Sequence, residues 1–217
     1  MPLKPKLNFQ KVVLSLDTSG SNCSVCLTCE ESGQAYKAEH NAKRGHDQWL
    51  FGLIQKVLDE AQCEVADIVK IIVVVGPGSF TGLRIAGSAA KSLSIALQVP
   101  VFGVQTFDAI FYQLQPEARQ APVSIVVPTQ TGLFNVKHFR ESQAQYEQLS
   151  IEQMLALLES GQKCIFAFED HGLSARKVEV ASSSAWGAFQ AFLGHAYEPF
   201  TSPIYFHQFK NIPNADH

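Results

Sequence analysis

Charge is scarce in this chain. Lys, Arg, Asp and Glu make up only 17% of its 217 residues, below the usual quarter of a soluble protein. So thin a charged surface leaves apolar area for a partner to cover. Seventeen basic residues against twenty acidic ones give a formal net charge of −3. Lys43-Arg44 is one of the basic clusters, and none exceeds two adjacent residues. A protein that grips RNA by itself carries a basic face, so direct and tight RNA binding by this chain alone is disfavoured, and a composite surface stays open. No apolar stretch approaches the ~18 residues of a membrane helix. The segment Met1–Asn8 lacks the apolar core of an export signal. The expected location is the cytoplasm, with no membrane contact.

Several chemical motifs are missing as well. Gly82 is followed by Leu83 and Arg84, so its loop lacks the Lys and hydroxyl of a Walker P-loop. Gly76, Gly78 and Gly82 miss the last step of the dinucleotide pattern G-x-G-x-x-G. Neither a nucleophile elbow nor an H-E-x-x-H sequence occurs. Five cysteines are an odd number, which argues against a complete disulfide framework. Cys23, Cys26 and Cys29 form a C-x-x-C-x-x-C run, but they fall in a segment that reads as a strand. Side chains alternate faces along a strand, so Cys26 points away from the other two. No metal is expected there. Glu169-Asp170-His171 is the other weak metal candidate and reads as a solvated loop.

What is present is a glycine loop between two strong elements. The run Ile71–Val75 leads into Gly76-Pro77-Gly78-Ser79-Phe80-Thr81-Gly82-Leu83-Arg84, and a run of helix formers follows to about Gln98. Glycines at a strand-to-helix turn allow unusual backbone angles and close approach of another group. Free N–H groups at the helix start can hold an anion. Gly76, Gly78 and Ser79 are therefore candidate phosphate-binding residues, with a tight turn as the simpler reading. Asp17-Thr18-Ser19 closes the apolar strand Lys11–Leu16 before a polar turn, where an Asp bonds nearby backbone N–H groups.

The remaining pattern is mixed α/β. Short strands at Cys23–Cys29 and Gln34–Glu39 complete an antiparallel meander. Leu50, Leu53, Ile54, Val57, Leu58 and Ala61 recur at helical spacing, giving helix one over Asp47–Ala61. Helix two spans Phe80–Leu97 and is rich in small residues. A strand over Val101–Val104 and a helix over Thr106–Leu114 follow, then a polar, proline-containing stretch at 115–120 that reads as a lobe boundary. Beyond it come strands at Val123–Val127, Leu133–Phe139 and Lys163–Phe168, and helices at Ile151–Glu159 and Ser184–Leu193. The expected organisation is a flexible lead (1–11), a first lobe (12–114), a second lobe (121–209) whose aromatic tail packs back, and a frayed end (210–217).

Val75–Ala86 resembles the signature of the bacterial TsaB (YeaZ) family, relatives of TsaD, the subunit that installs threonylcarbamoyladenosine beside the anticodon of tRNA. The resemblance extends through Val12–Ser19, Arg44–Leu50 and Pro100–Val104, and covers about residues 12–112. It implies a two-lobed actin-like ATPase fold, of the ribonuclease H-like class, in which the Asp and hydroxyls of the first hairpin hold phosphate and magnesium, so Asp17, Thr18 and Ser19 are candidate phosphate-binding residues beside their reading as a plain turn. It also implies a non-catalytic subunit that pairs with TsaD through helices one and two and self-associates as a homodimer when alone. TsaE joins the complex, and tRNA is met only through it. Candidate contacts on the two helices are Leu50, Leu53, Ile54 and Val57, with Arg84, Ala86, Ala90 and Lys91. No cofactor of its own is implied, although ATP or ADP at the complex interface stays open.

One departure separates this chain from the catalytic members, and two more separate it from the usual TsaB pattern. TsaD carries two metal-binding histidines four apart after the strand that ends here at Val104, and those positions are Thr106 and Ile110. TsaB proteins usually have an Asp-Ala-Arg turn after the first strand of the second lobe, where this chain reads Val127-Pro128-Thr129-Gln130-Thr131-Gly132. His207 stands where the family tends to have arginine. The alternatives are a stand-alone actin-fold phosphotransferase, favoured by the Asp17 turn and the glycine loop, and a scaffold that has changed partner.

Overall fold

The computed structural model describes residues 11–41, 45–120, 122–129, 131–140, 144–168 and 179–202. The expected lead, the frayed end, Arg44, the Glu169-Asp170-His171 loop and the aromatic tail from Tyr205 onward lie outside these residues.

Strand β1 (Val12–Asp17) is buried along its whole length, because helices cover its sheet on both faces. Leu14 and Leu16 point into one layer and Val13 into the other. β1 pairs antiparallel with β2 (Asn22–Cys29), and β2 pairs antiparallel with β3 (Ala35–Asn41). Helix α1 (His46–Ala61) then leads to β4 (Ile68–Gly76), parallel to β1. Helix α2 (Phe80–Leu97) leads to β5 (Val101–Gln105), parallel to β4. Helix α3 (Thr106–Gln113) carries the chain out of this sheet.

The second sheet repeats the plan. β6 (Val123–Pro128), β7 (Phe134–Phe139) and β8 (Ala144–Leu149) form an antiparallel meander. Helix α4 (Ile151–Glu159) follows, then β9 (Lys163–Ala167) parallel to β6, and β10 (Glu179–Ala181) parallel to β9. The first sheet's order β3-β2-β1-β4-β5 thus matches the second's β8-β7-β6-β9-β10. This doubling of one layered unit is the two-lobed, actin-like α/β architecture that the resemblance implies.

The chain ends differently from the expected division. After β10 it crosses back: α5 (Ala185–Leu193) packs on the first sheet, and β11 (Glu198–Pro199) pairs with β5. Phe200 packs against the first-lobe core. The second lobe is therefore an insertion between α3 and α5, and the boundary drawn at 121–209 is too long. α5 returns because its apolar residues need the open face of the first sheet, where Ala188, Phe189 and Ala191 meet Val13, Ile72 and Val74. A Cβ on Gly187 would meet the Ala109 carbonyl oxygen at 2.1 Å, so that glycine permits α5 to lie directly on α3.

Helix α3 is shared. Phe107 and Ile110 pack against Val123, Ile125 and Ile165 of the second sheet, while Ala109 faces the first-lobe layer. The cysteine run behaves as strand alternation requires: Cys23 and Cys29 join the α1-side core with Val25 and Leu27, and Cys26 bonds Thr28 on the opposite face. Burial pushes the Cys23 thiol up to about 12, with Asp17 adding to the effect.

Candidate functional site

The glycine loop docks on the β1–β2 turn. Gly76 ends β4 at φ 115, and Ser79 caps α2 by accepting from the Gly82 amide at 3.2 Å. The Ser79 amide donates to the Ser19 carbonyl at 2.6 Å, and the Thr18 hydroxyl donates to the Gly82 carbonyl at 2.6 Å. A Cβ on Gly78 would lie 2.5 Å from the Ser19 oxygen, and one on Gly82 only 1.8 Å from the Thr18 oxygen. The Thr106 hydroxyl ties the other side of the loop to α3 by donating to the Pro77 carbonyl at 2.7 Å.

The structure therefore brings Asp17, Thr18, Ser19, Gly76, Gly78 and Ser79 together, but in contact with one another. Asp17, Thr18 and Ser19 are fully buried. The glycines of this loop serve close packing on the β1–β2 turn, whose Ser19 carbonyl takes the Ser79 amide, while Gly78 stays half-buried and Ser79 exposed. Asp17 Oδ1 accepts from the Ser19 amide at 2.8 Å. Burial pushes its carboxyl up, opposed by bonds to Ser183 and Ser19 and by His46. His46 is a helix-entry residue whose Nε2 lies 3.0 Å from the Gly20 carbonyl oxygen.

The matching turn of the second lobe is self-contained. Thr129 Oγ1 accepts from the Thr131 and Leu133 amides, both at 3.1 Å. Thr106 and Ile110, at the positions of the TsaD histidines, are both fully buried, Ile110 within the seam between the lobes.

A Ser–His–acid array in the second lobe escaped the sequence reading. Ser124 Oγ lies 2.7 Å from His138 Nδ1, and His138 Nε2 lies 2.5 Å from Glu147 Oε1. The residue types are those of a hydrolase triad, but the two ring nitrogens are exchanged, since in a triad the hydroxyl meets Nε2 and the acid Nδ1. Ser124, however, has no exposed surface and stands mid-sheet, opposite His138 on one side and Cys164 on the other. No substrate carbonyl reaches it, and the array is a cross-strand ladder. Register alone links its members, which a linear reading does not reveal.

The partner surface needs the largest correction. Leu50, Leu53, Ile54 and Val57 are buried against the first lobe's own sheet, as are Ala86 and Ala90. An apolar stripe at 3.6-residue spacing faces the nearest apolar layer, and here that layer is internal. Arg84 and Lys91 do lie on the surface. The structure also exposes apolar side chains that the spacing did not single out: Phe80 and Ile95, on the same face of α2 as these cations, at 57% and 72%, and Phe51 on α1 at 59%. Arg84 stacks over the Phe80 ring at 5.3 Å. Their sequence signal was their position off the buried stripe.

Doubled sheets with a glycine loop packed on the first turn define a class, and comparisons with known proteins give the family. A family model described as "TsaD: tRNA N6-adenosine threonylcarbamoyltransferase" matches residues 38–170. The chain is 30% identical over 121 residues to the "tRNA threonylcarbamoyladenosine biosynthesis protein TsaB" of Buchnera aphidicola subsp. Schizaphis graminum, covering 56% of this chain and 57% of that protein. It is 32% identical over 94 residues to the protein of the same name from Escherichia coli K12, covering 43% of this chain and 40% of that one. The matches thus span 57% and 40% of the length of these two relatives. A crystal structure described as an uncharacterized protein with similarity to peptidase YEAZ from Pseudomonas aeruginosa superposes with a TM-score of 0.72 at 23% identity. That alignment covers 90% of this chain and 99% of the other, and it shows the shared fold. The chain belongs to the TsaD family, and the curated relatives it resembles carry the TsaB name.

Proposed function

We propose that this chain is a non-catalytic subunit in the formation of threonylcarbamoyladenosine on tRNA. It supports a TsaD-type transferase, which moves the threonylcarbamoyl group to the adenosine beside the anticodon. One observation carries this reading: α2 exposes Phe80 and Ile95 on the helix face that carries Arg84 and Lys91, and α1 exposes Phe51, while each candidate phosphate ligand on the β1–β2 turn is buried. Apolar side chains flanked by cations fit a partner helix layer with apolar and acidic groups. The same surface serves self-association when the partner is missing. TsaE joins the assembly, ATP or ADP binds at the complex interface rather than in this chain alone, and tRNA is met through the complex. The setting is the bacterial cytoplasm.

The test is a tagged pull-down of the full chain from its native cell, with bound proteins identified by mass spectrometry. TsaD and TsaE in near-equal amounts are the expected result. Their absence from a folded, well-expressed bait would sink the proposal. Micromolar nucleotide binding by the isolated chain, lost in Asp17→Ala, would favour the stand-alone phosphotransferase instead.

A further inference from the structure

A cavity of about 290 Å³ opens where the lobes meet, walled by Val75, Gly103 and the returning segment from His195 to Ser202. Its floor is polar. Lys137 on β7 of the second lobe donates to Asp108 Oδ1 on α3 of the first lobe at 2.6 Å, and both side chains are 8% exposed. Tyr146 on β8 donates to Gln105 Oε1, at the end of β5, at 2.7 Å. Lys137 also sits 4.9 Å from the centre of the Tyr146 ring. One step further in, Phe139 stacks on Phe111 at 3.9 Å with the rings nearly parallel. The polar groups of the floor are thus bonded to each other across the lobe junction, which is why the cavity does not read as a ligand site.

The apolar seam of Phe107 and Ile110 against Val123 and Ile125 holds the lobes together, but apolar contact is non-directional. Buried ion pairs add little net stability, and their best-attested use is to select one arrangement among several. Burial opposes charge on Lys137, and Asp108 and Tyr146 together outweigh it, holding the ammonium above its ordinary range. Two-lobed proteins that open and close do so around a ligand in the cleft. We infer that Asp108, Lys137, Tyr146 and Gln105 form an internal lock, which fixes the angle between the lobes and does within this chain what a cleft ligand does in a hinged protein. The inference stands on the lobe junction and is independent of the partner reading.

The experiment uses the full chain with spin labels on ketone-bearing residues at Gln55 of α1 and Glu152 of α4, one in each lobe. The expected result is a single narrow distance distribution that millimolar Mg-ATP leaves in place. Lys137→Ala should broaden it about twofold while amides within each lobe keep their exchange protection. Tyr146→Phe, which retains every charge, should broaden it less. The double variant Asp108→Leu/Lys137→Met should recover stability while staying broad. Should Lys137→Ala fail to fold, Tyr146→Phe decides. A distribution as narrow as the wild type in the folded variants, or a wild-type distribution that shifts with Mg-ATP, would overturn the lock.

Discussion

The two lobes are built on one strand plan and differ in what their side chains face. The first sheet is covered on both sides, by α1 and α2 on one face and by α5 on the other. Its outer helix layer still presents Phe51, Phe80 and Ile95 to solvent. The second sheet has α4 on one face and the shared helix α3 on the other. Its polar side chains turn inward, into the Ser124–His138–Glu147 ladder and the Lys137–Asp108 pair. The turns after the first strand differ in the same sense. In the first lobe that turn is packed under the glycine loop, and in the second it closes on itself through Thr129. The lesson is that one architecture can be divided: one lobe offers a contact surface, while the other is joined to it by buried polar bonds.

The sharpest break in that comparison comes from a methyl group. Gly82→Ala places a Cβ on the Thr18 carbonyl, and overpacking of this kind should cost about 3 kcal/mol or more. Gly132→Ala, in the second lobe's turn, meets nothing within 4 Å and carries only the penalty of a φ of 79°, about 1 kcal/mol. Urea unfolding of both variants measures the contrast, and equal losses would remove it. Next in size is Leu50→Ala, which should cost about 3 kcal/mol as a buried truncation. Phe80→Asp should change stability by no more than about 0.5 kcal/mol while weakening partner binding. A Phe80→Asp chain as unstable as Leu50→Ala would mean that the exposed face is structural.

Helix caps offer an even-handed check of the two lobes. Ser79 caps α2, and Ser150 caps α4 within a capping box. Ser79→Ala and Ser150→Ala should each cost about 1 kcal/mol in thermal or urea unfolding. A much larger loss at Ser79 would show that the glycine loop depends on it beyond capping. The smallest effect is a slope against pH. Burial raises the Asp17 carboxyl above its ordinary 3.8, so the folded chain holds that proton more tightly than the unfolded chain. The stability this contributes is full below about 3.8 and is lost as pH rises through the raised folded value. Asp17→Asn should therefore gain on the wild type as pH climbs from that point toward neutrality. Parallel stability curves would contradict the buried, proton-retaining Asp17.

Most elements were legible because their signals are local. The bounds of α2 and α4 read correctly from helix formers and the polar residues around them. β8 was missed because its run, Ala-Gln-Tyr-Glu-Gln-Leu, is polar, as an edge strand tolerates. β10 has only three residues. The return of α5 to the first lobe was not legible, since nothing near Ala185–Leu193 states which sheet it will cover. The site was half legible. That Asp17, Thr18 and Ser19 share a task with the glycine loop came from the family resemblance. Their tight packing on one another was not legible, because close backbone approach and anion binding call for the same glycines. The helix stripe was read as a contact surface, yet such a stripe marks burial without saying against what.

The central claim is that the exposed α1–α2 face binds a TsaD-type transferase. Titration calorimetry between the purified chain and the transferase from the same cell tests it most directly, with Phe80→Asp as the comparison. The account predicts binding by the wild type and at least about a tenfold loss in Phe80→Asp, with the melting temperature of the variant unchanged. Equal affinity of the two chains for the transferase, or no binding by a folded wild type, would contradict it.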